Sequence, residues 1–375
     1  MNYNISLKEN SSNNSNKLNA LLALKDGTVF EGIGFGAEGI AKGELCFNTS
    51  MVGYEESLTD PSYKGQILTM TYPLIGNYGV RKGFFESDKI QVEGFVVKEN
   101  SEFYEHRIAV KNIDKFLREH KIPGISGVDT REITRKLRIH GVMNSVLITS
   151  KNPIDKEEAI KQAKNIPDVS ELDILKKVSV KEAKDFDCKG KKTIAIVDLG
   201  VKQSIIAWLM NKKVNVKLVP YNTPAQEILD MRVNGVLLSN GPGNPEKAVD
   251  AIKLAKEIQG RLPLFGVCLG HQIIGLGLGA KTYKLKFGHR GSNQPVKNLE
   301  QNKVYITAQN HGYAVDENSV DGTDLKVTMI NLNDKSVEGI SDTKNNVHSV
   351  QFHPEAGPGP LDCNYIFDEW IKLLK

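Results

Sequence analysis

No run of about 18 apolar residues occurs in the chain, so a membrane-spanning helix has no candidate segment. Cysteine is scarce. Cys46, Cys188, Cys268 and Cys363 lie far apart and make no CxxC pair, which argues against a zinc site or a disulfide framework and suits a reducing cytoplasm. Charge of one sign is not in excess either: a formal net charge of +4 on 375 residues, with Lys and Arg spread along the chain, makes no phosphate-binding stripe, and no nucleic-acid partner is expected. The N-terminus has Asn and Ser clusters but no apolar core of the kind secretion needs, so residues 1–18 read as a polar tail. There is no P-loop, acidic metal cluster or other nucleotide signature, and the chain is expected to carry no cofactor and no metal of its own.

What remains is a globular composition, 40% hydrophobic and 25% charged. At about 150 residues per domain the length suggests two or three domains, and two is the working count. In LLALKDGTVF two apolar runs flank Asp26-Gly27, a dipeptide that tolerates positive φ, which predicts a hairpin. Extended segments are expected at Gly43–Asn48, Gln66–Thr71 and Lys89–Val97, and helices at Ile113–His120 and Arg131–His140. A Lys-rich stretch from about Ser150 to Lys192 reads as a surface connector. The boundaries are therefore a mixed α/β N-terminal domain over 19–190 and a second domain over 191–375. In the latter, TIAIVDLG, VNVKLVP, GVLLS and LPLFGV are apolar strands alternating with helical patterns, which implies a mainly parallel sheet flanked by helices. Ligands in such sheets sit at the carboxyl ends of the strands, so SNGPGNP and CLGHQ are the loops of interest.

The segment PLFGVCLGHQ sets Cys268 between Gly266 and Gly270, after an apolar strand and before a helix-like run. This G-x-C-x-G spacing parallels the nucleophile elbow, in which small flanking residues permit a strained turn that lifts the nucleophile above the sheet. The positive end of the following helix favours the thiolate. The plainer reading is one more buried cysteine at a strand end.

A thiolate attacking an amide needs a proton carrier for the leaving ammonia, and a histidine oriented by a carboxylate is the usual one. Of eight histidines, His353 stands out: VHSVQFHPE alternates as a strand, and His353 and Glu355, two apart, would project the same way if the strand persisted. A turn-forming HPE with a satisfied histidine is the competing reading. His271 lies three residues after Cys268 but reads as a packed structural histidine, and His289 and His311 read as shaping loops around the pocket. For the oxyanion, the Leu269 N–H and the glycine-rich loop with Gly241 and Gly243 are the candidate donors.

In that order and at those separations, SNGPGNP, GVCLGHQ and FHPE resemble the class I (triad) glutamine amidotransferases. FNTSMVGYEESLTDPSYKGQIL, TYPLIGNYG, DTREITRKLR, KFGHRGSNQPV and QNHGYAVD extend the resemblance to the carbamoyl-phosphate synthetase small (glutaminase) subunits, over about residues 19 to 375. The resemblance implies Cys268 as nucleophile, His353 as general acid and base, and Glu355 as the residue that orients His353. It implies glutamine binding by Ser62, Gly241, Gly243, Leu269, Gln272, Asn310, Gly312 and Tyr313. It further implies a site between two domains, a large subunit that binds ATP, bicarbonate and Mg, and carbamoyl phosphate for arginine and pyrimidine synthesis. Phe352 stands where that family often has glycine, and should point away from His353. The amidotransferases of anthranilate or guanylate synthesis, a cysteine peptidase or γ-glutamyl hydrolase, and a regulatory subunit with a decayed elbow are the alternatives.

Overall fold

The computed structural model describes residues 18–375; the expected polar tail lies outside them apart from Leu18. Seven strands close a barrel: β1 (Leu18–Leu24), β2 (Val29–Gly36), β3 (Gly39–Asn48), β4 (Gln66–Met70), β5 (Gly94–Val96), β6 (Pro123–Ser126) and β7 (Met143–Ser150), in the order β1-β7-β3-β4-β5-β6-β2. β1 and β2 form the expected hairpin. Gly27 takes φ 93°, and Asp26 Oδ1 accepts from Thr28 N at 2.9 Å, so the turn is made by the two residues the sequence singled out. The helices Ile113–Glu119 and Thr130–His140 start where Asn112 and Asp129 cap them with their side chains. Extended structure over Lys89–Val97 shrinks to Gly94–Val96, because Gln91 N–H is already committed to Leu58 O at 2.8 Å in a loop.

The Lys-rich stretch is less of a connector than expected. Its helix Lys156–Lys164 buries Ala159 against Leu21 and Ala23 of the barrel. Further on, β8 (Lys184–Phe186) falls before the expected boundary at 190 yet pairs antiparallel with a strand of the second sheet.

That sheet has ten strands. They are β8, β9 (Lys192–Asp198), β10 (Val214–Pro220), β11 (Gly235–Leu238), β12 (Leu264–Val267), β13 (Thr282–Asn298), β14 (Lys303–Val315), β15 (Lys326–Asn331), β16 (Val337–Asp342) and β17 (Val347–Val350), ordered β8-β10-β9-β11-β12-β17-β16-β15-β13-β14. Strands β10, β9, β11, β12 and β17 are mutually parallel; β16, β15, β13 and β14 continue the sheet antiparallel. Burial on both faces explains the apolar runs: Ala195 and Val197 of β9 join one core, Ile194 and Ile196 the other. The helices Val249–Ile258 and Leu269–Gly277 cover the first face; Gln203–Asn211 and Tyr365–Leu373 cover the second. Consecutive parallel strands all end on one edge, where Asp198, Ser239, Cys268 and the segment after Val350 come together. No helix among the described residues is long and apolar enough to cross a membrane.

Candidate active site

Cys268 follows β12 and precedes the helix Leu269–Gly277 with φ 54° and ψ −104°, a left-handed-side conformation that costs a non-glycine residue on the order of 1–3 kcal/mol. The surroundings enforce it. Cys268 N–H is held by Val350 O at 2.9 Å, and Gly270 N–H by Ser239 O at 3.0 Å. The two flanking glycines are needed for close approach: a Cβ on Gly270 would sit 2.0 Å from Leu238 O, and one on Gly266 would sit 2.7 Å from the Gly270 carbonyl carbon. The thiol faces Asn310 O at 3.6 Å and is almost fully buried. As the first residue of its helix, Leu269 has no intrahelical acceptor for its N–H, which leaves that donor beside the sulfur.

The strand β17 stops at Val350, so alternation does not carry His353 and Glu355 to one side; a turn does, with Ala356 N–H on His353 O at 3.2 Å. His353 N–H is anchored to Ala308 O at 2.9 Å, and its Nδ1 lies 2.6 Å from Glu355 Oε1. Both readings of HPE therefore hold at once: it is a turn, and it pairs the imidazole with the carboxylate. Phe352 points the other way, into the core beneath. Burial disfavours the His353 cation, but the Glu355 carboxylate outweighs it and raises the proton affinity of the ring, with Cys268 as a further contributor. For Glu355 the balance runs oppositely: burial pushes its carboxyl up, and Lys202 with His353 hold it well below the usual range.

Lys202 carried no sequence signal beyond heading an amphipathic helix. It is 2% exposed, with Nζ 3.0 Å from Glu355 Oε1, 3.2 Å from Glu86 Oε1 and 3.2 Å from Gly357 O. Glu86 comes from the barrel side and also accepts from Ser204 Oγ at 2.7 Å, so one buried cation ties the histidine's orienting carboxylate to the other unit. Burial opposes that charge, but the two carboxylates keep Lys202 firmly protonated.

The expected glutamine-binding residues, Ser62, Gly241, Gly243, Leu269, Gln272, Asn310, Gly312 and Tyr313, all line one cleft with Cys268. Ser62 Oγ, from the barrel side, accepts from Asn240 Nδ2 at 3.0 Å, leaving its own hydroxyl proton free for a ligand. Asp60 was not singled out, yet its Oδ2 accepts from Asn310 Nδ2 at 2.9 Å across the same junction. The Asn310 amide is thus engaged with the barrel, and its carbonyl meets the thiol. Gln272 Nε2 bonds Tyr313 O at 2.7 Å and Gln351 Oε1 at 3.0 Å. His271 is not brought to the cleft: it is buried, its Nδ1 lies 3.0 Å from Ser349 Oγ, and burial pushes its ring down to about 3. His289 and His311 do not sit in loops; they face each other across the paired strands β13 and β14, and His311 lines the cleft as a residue around the pocket.

The family described as the carbamoyl-phosphate synthase small chain, CPSase domain, matches residues 22–147, and that described as glutamine amidotransferase class-I matches residues 195–373. The carbamoyl phosphate synthase small chain of Methanococcus maripaludis is 54% identical over 363 residues, covering 94% of this chain and 96% of that one. The chain belongs to the carbamoyl phosphate synthase small-chain family. Another member, from Methanopyrus kandleri, is 48% identical over 361 residues, covering 96% of this chain and 99% of its own. Membership accounts for both units at once, since the two family matches fall on the barrel and on the ten-stranded sheet, and the cleft is lined from both.

Proposed function

We propose that the chain is the glutaminase subunit of a glutamine-hydrolysing carbamoyl-phosphate synthetase. The observation that carries this reading is the strained Cys268 elbow opening on a cleft lined by all eight candidate substrate residues, together with a buried His353–Glu355 pair whose Nε2 is committed to no other group. The Cys268 thiol gives its proton to His353 as the sulfur attacks the side-chain carbonyl carbon of glutamine. Negative charge gathers on the carbonyl oxygen, where the Leu269 N–H and the Gly241–Gly243 loop offer donors. His353, held by Glu355, gives its proton to the departing nitrogen, so the C–N bond breaks, ammonia leaves and a glutamyl thioester remains. His353 then takes a proton from water as the water adds to the thioester, and collapse releases glutamate and returns the proton to sulfur. Ser62, Gln272, Asn310, Gly312 and Tyr313 hold the substrate's remaining groups, and none of these steps calls for a cofactor.

The acceptor of the ammonia would be a large synthetase subunit, with ATP, Mg and bicarbonate bound there, in cytoplasmic arginine and pyrimidine synthesis; that the relatives are small chains of carbamoyl phosphate synthase supports the large partner. The test is ammonia release from glutamine by the full chain, alone and with the large subunit, for wild type and Cys268→Ser. Release that rises with the partner and vanishes in the variant, while ammonia-driven carbamoyl phosphate synthesis persists, supports the reading. No release in either case would leave a binding subunit; equal loss of glutamine- and ammonia-driven synthesis would overturn the nucleophile.

A further inference from the structure

At the cleft wall, which His311 itself lines, three buried side chains from three strands converge, each with one polar atom poorly matched. His311 Nδ1 lies 2.7 Å from Tyr313 O, and because a carbonyl only accepts, the ring proton sits on Nδ1. The Nε2 lone pair then faces Gln309 Oε1 at 3.0 Å, acceptor against acceptor. Turning the Gln309 amide over cannot relieve this, since its Nε2 donates to Glu338 Oε1 at 2.9 Å and to Thr307 Oγ1 at 3.1 Å. His289 lies between two carboxylates: its Nε2 is 2.9 Å from Asp334 Oδ2, and its Nδ1 makes no hydrogen bond but faces Glu338 Oε1 at 3.8 Å. Glu338 is fully buried; Oε1 accepts from Asn331 and Gln309, and Oε2 has no partner.

We propose that His289, His311 and Glu338 form a binding site for one divalent transition ion of zinc-like chemistry, which braces the wall of the glutamine cleft. One candidate ligand atom from each of the three residues falls within 4.8 Å of the others. Tetrahedral bonds of about 2.0–2.2 Å would set such atoms about 3.4 Å apart, so the side chains close by about 1 Å around the ion. Two neutral imidazoles and a carboxylate are a donor set such ions accept, with Gln309 Oε1 or a water as the fourth ligand. Each imidazole already has the outer partner that metal-bound histidines need: a carboxylate for His289 and a backbone carbonyl for His311. Tyr313 O, which orients His311, receives Gln272 Nε2 as well, so the ion would stiffen a strand that lines the cleft. This departs from the expectation, drawn from sequence alone, that the chain holds no metal.

The competing arrangement fills the same space with protons, one each on His289 and His311. Zinc titration of the chelator-treated full chain by calorimetry, with metal content measured after dialysis, separates the two; the Cys268→Ser background removes the active thiol as a rival ligand. One zinc per chain, an affinity at least tenfold weaker in Glu338→Gln and in Asp334→Asn, and cobalt(II) absorption without a thiolate charge-transfer band are the expected results. A folded wild-type-like chain that takes up no zinc, or one whose zinc affinity ignores both substitutions, would overturn the proposal whether or not the chain is a glutaminase.

Discussion

The two sides of the cleft are built differently. The sheet side presents its reactive groups on short, rigid backbone features at strand ends: the elbow after β12 and the turn after β17. The barrel side presents no nucleophile or base; it contributes Ser62, Asp60 and Glu86, each of which reaches across to hold something on the sheet side. The proposed chemistry thus sits where the backbone is strained and fixed, while the second unit lines the cleft and reaches across to it. Substitution of the reactive groups at the sheet side's strand ends should therefore cost kcat, whereas substitution of the barrel residues that reach across should cost substrate affinity or stability.

The largest contrast is expected from Cys268→Ser, which should lower glutamine hydrolysis by on the order of 10⁴-fold or more without unfolding the chain, checked by ammonia release and circular dichroism. Glu355→Gln comes next. With the carboxylate gone His353 loses its orienting partner and the support for its cation, and kcat should drop by about 10²–10³-fold with KM little changed. Should KM rise instead, Glu355 would belong with the positioning residues and the division between the sides would blur.

Gly270→Ala sharpens the packing half of the argument. A Cβ there meets Leu238 O at 2.0 Å, so the elbow must shift, and a loss of about 3 kcal/mol in denaturant unfolding is expected. On the barrel side, Glu56 is buried with Oε2 unpartnered among Glu55, Glu86 and Arg81; burial first, and then the two carboxylates against Arg81, push it up to about 7. A raised carboxyl means the folded chain holds a proton that the unfolded chain has lost, so stability falls as pH rises from about 4.5 to about 7. Glu56→Gln should therefore stabilise by on the order of 2 kcal/mol at pH 8 and by little at pH 4, read from the melting temperature at the two values. The smallest effect is expected from Ser62→Ala, about a tenfold rise in KM for glutamine at constant kcat, since one hydroxyl donor leaves the cleft.

How much of this was legible depended on distance along the chain. The elbow is a strand, a cysteine and a helix in unbroken succession, and His353 with Glu355 are two residues apart, so local pattern was enough to name them. Lys202 was not nameable, because the Glu86 and Glu355 that give it meaning lie far away in sequence and only the tertiary fold delivers them. Barrel closure was equally hidden: apolar runs mark β1, β3 and β4 as strands, but nothing local says that β2 returns to β6 and β7 to β1. The helix Lys156–Lys164 escaped notice because its buried face is made of Ala159 and Ala163, too small to raise a clear apolar period among lysines. The strand positions of His289 and His311 are hidden in the sequence, because the glycines beside them accompany an irregular register in the long β13–β14 ladder rather than its end.

The position of β17 has a consequence for how the molecule is made. Among the described strands it is the last to be synthesised, yet it lies in the interior of the sheet, between β12 and β16. Until it arrives, the strand that leads into the elbow has an open edge, Cys268 lacks the Val350 carbonyl that fixes its turn, and His353 does not yet exist. A ribosome releases N-terminal segments first, so the barrel is complete while the thiol is still unarmed. A chain that stops short of Val350 therefore holds the Cys268 thiol without the carbonyl that fixes its turn and without His353, so the proposed active site is put together only when the last strand pairs.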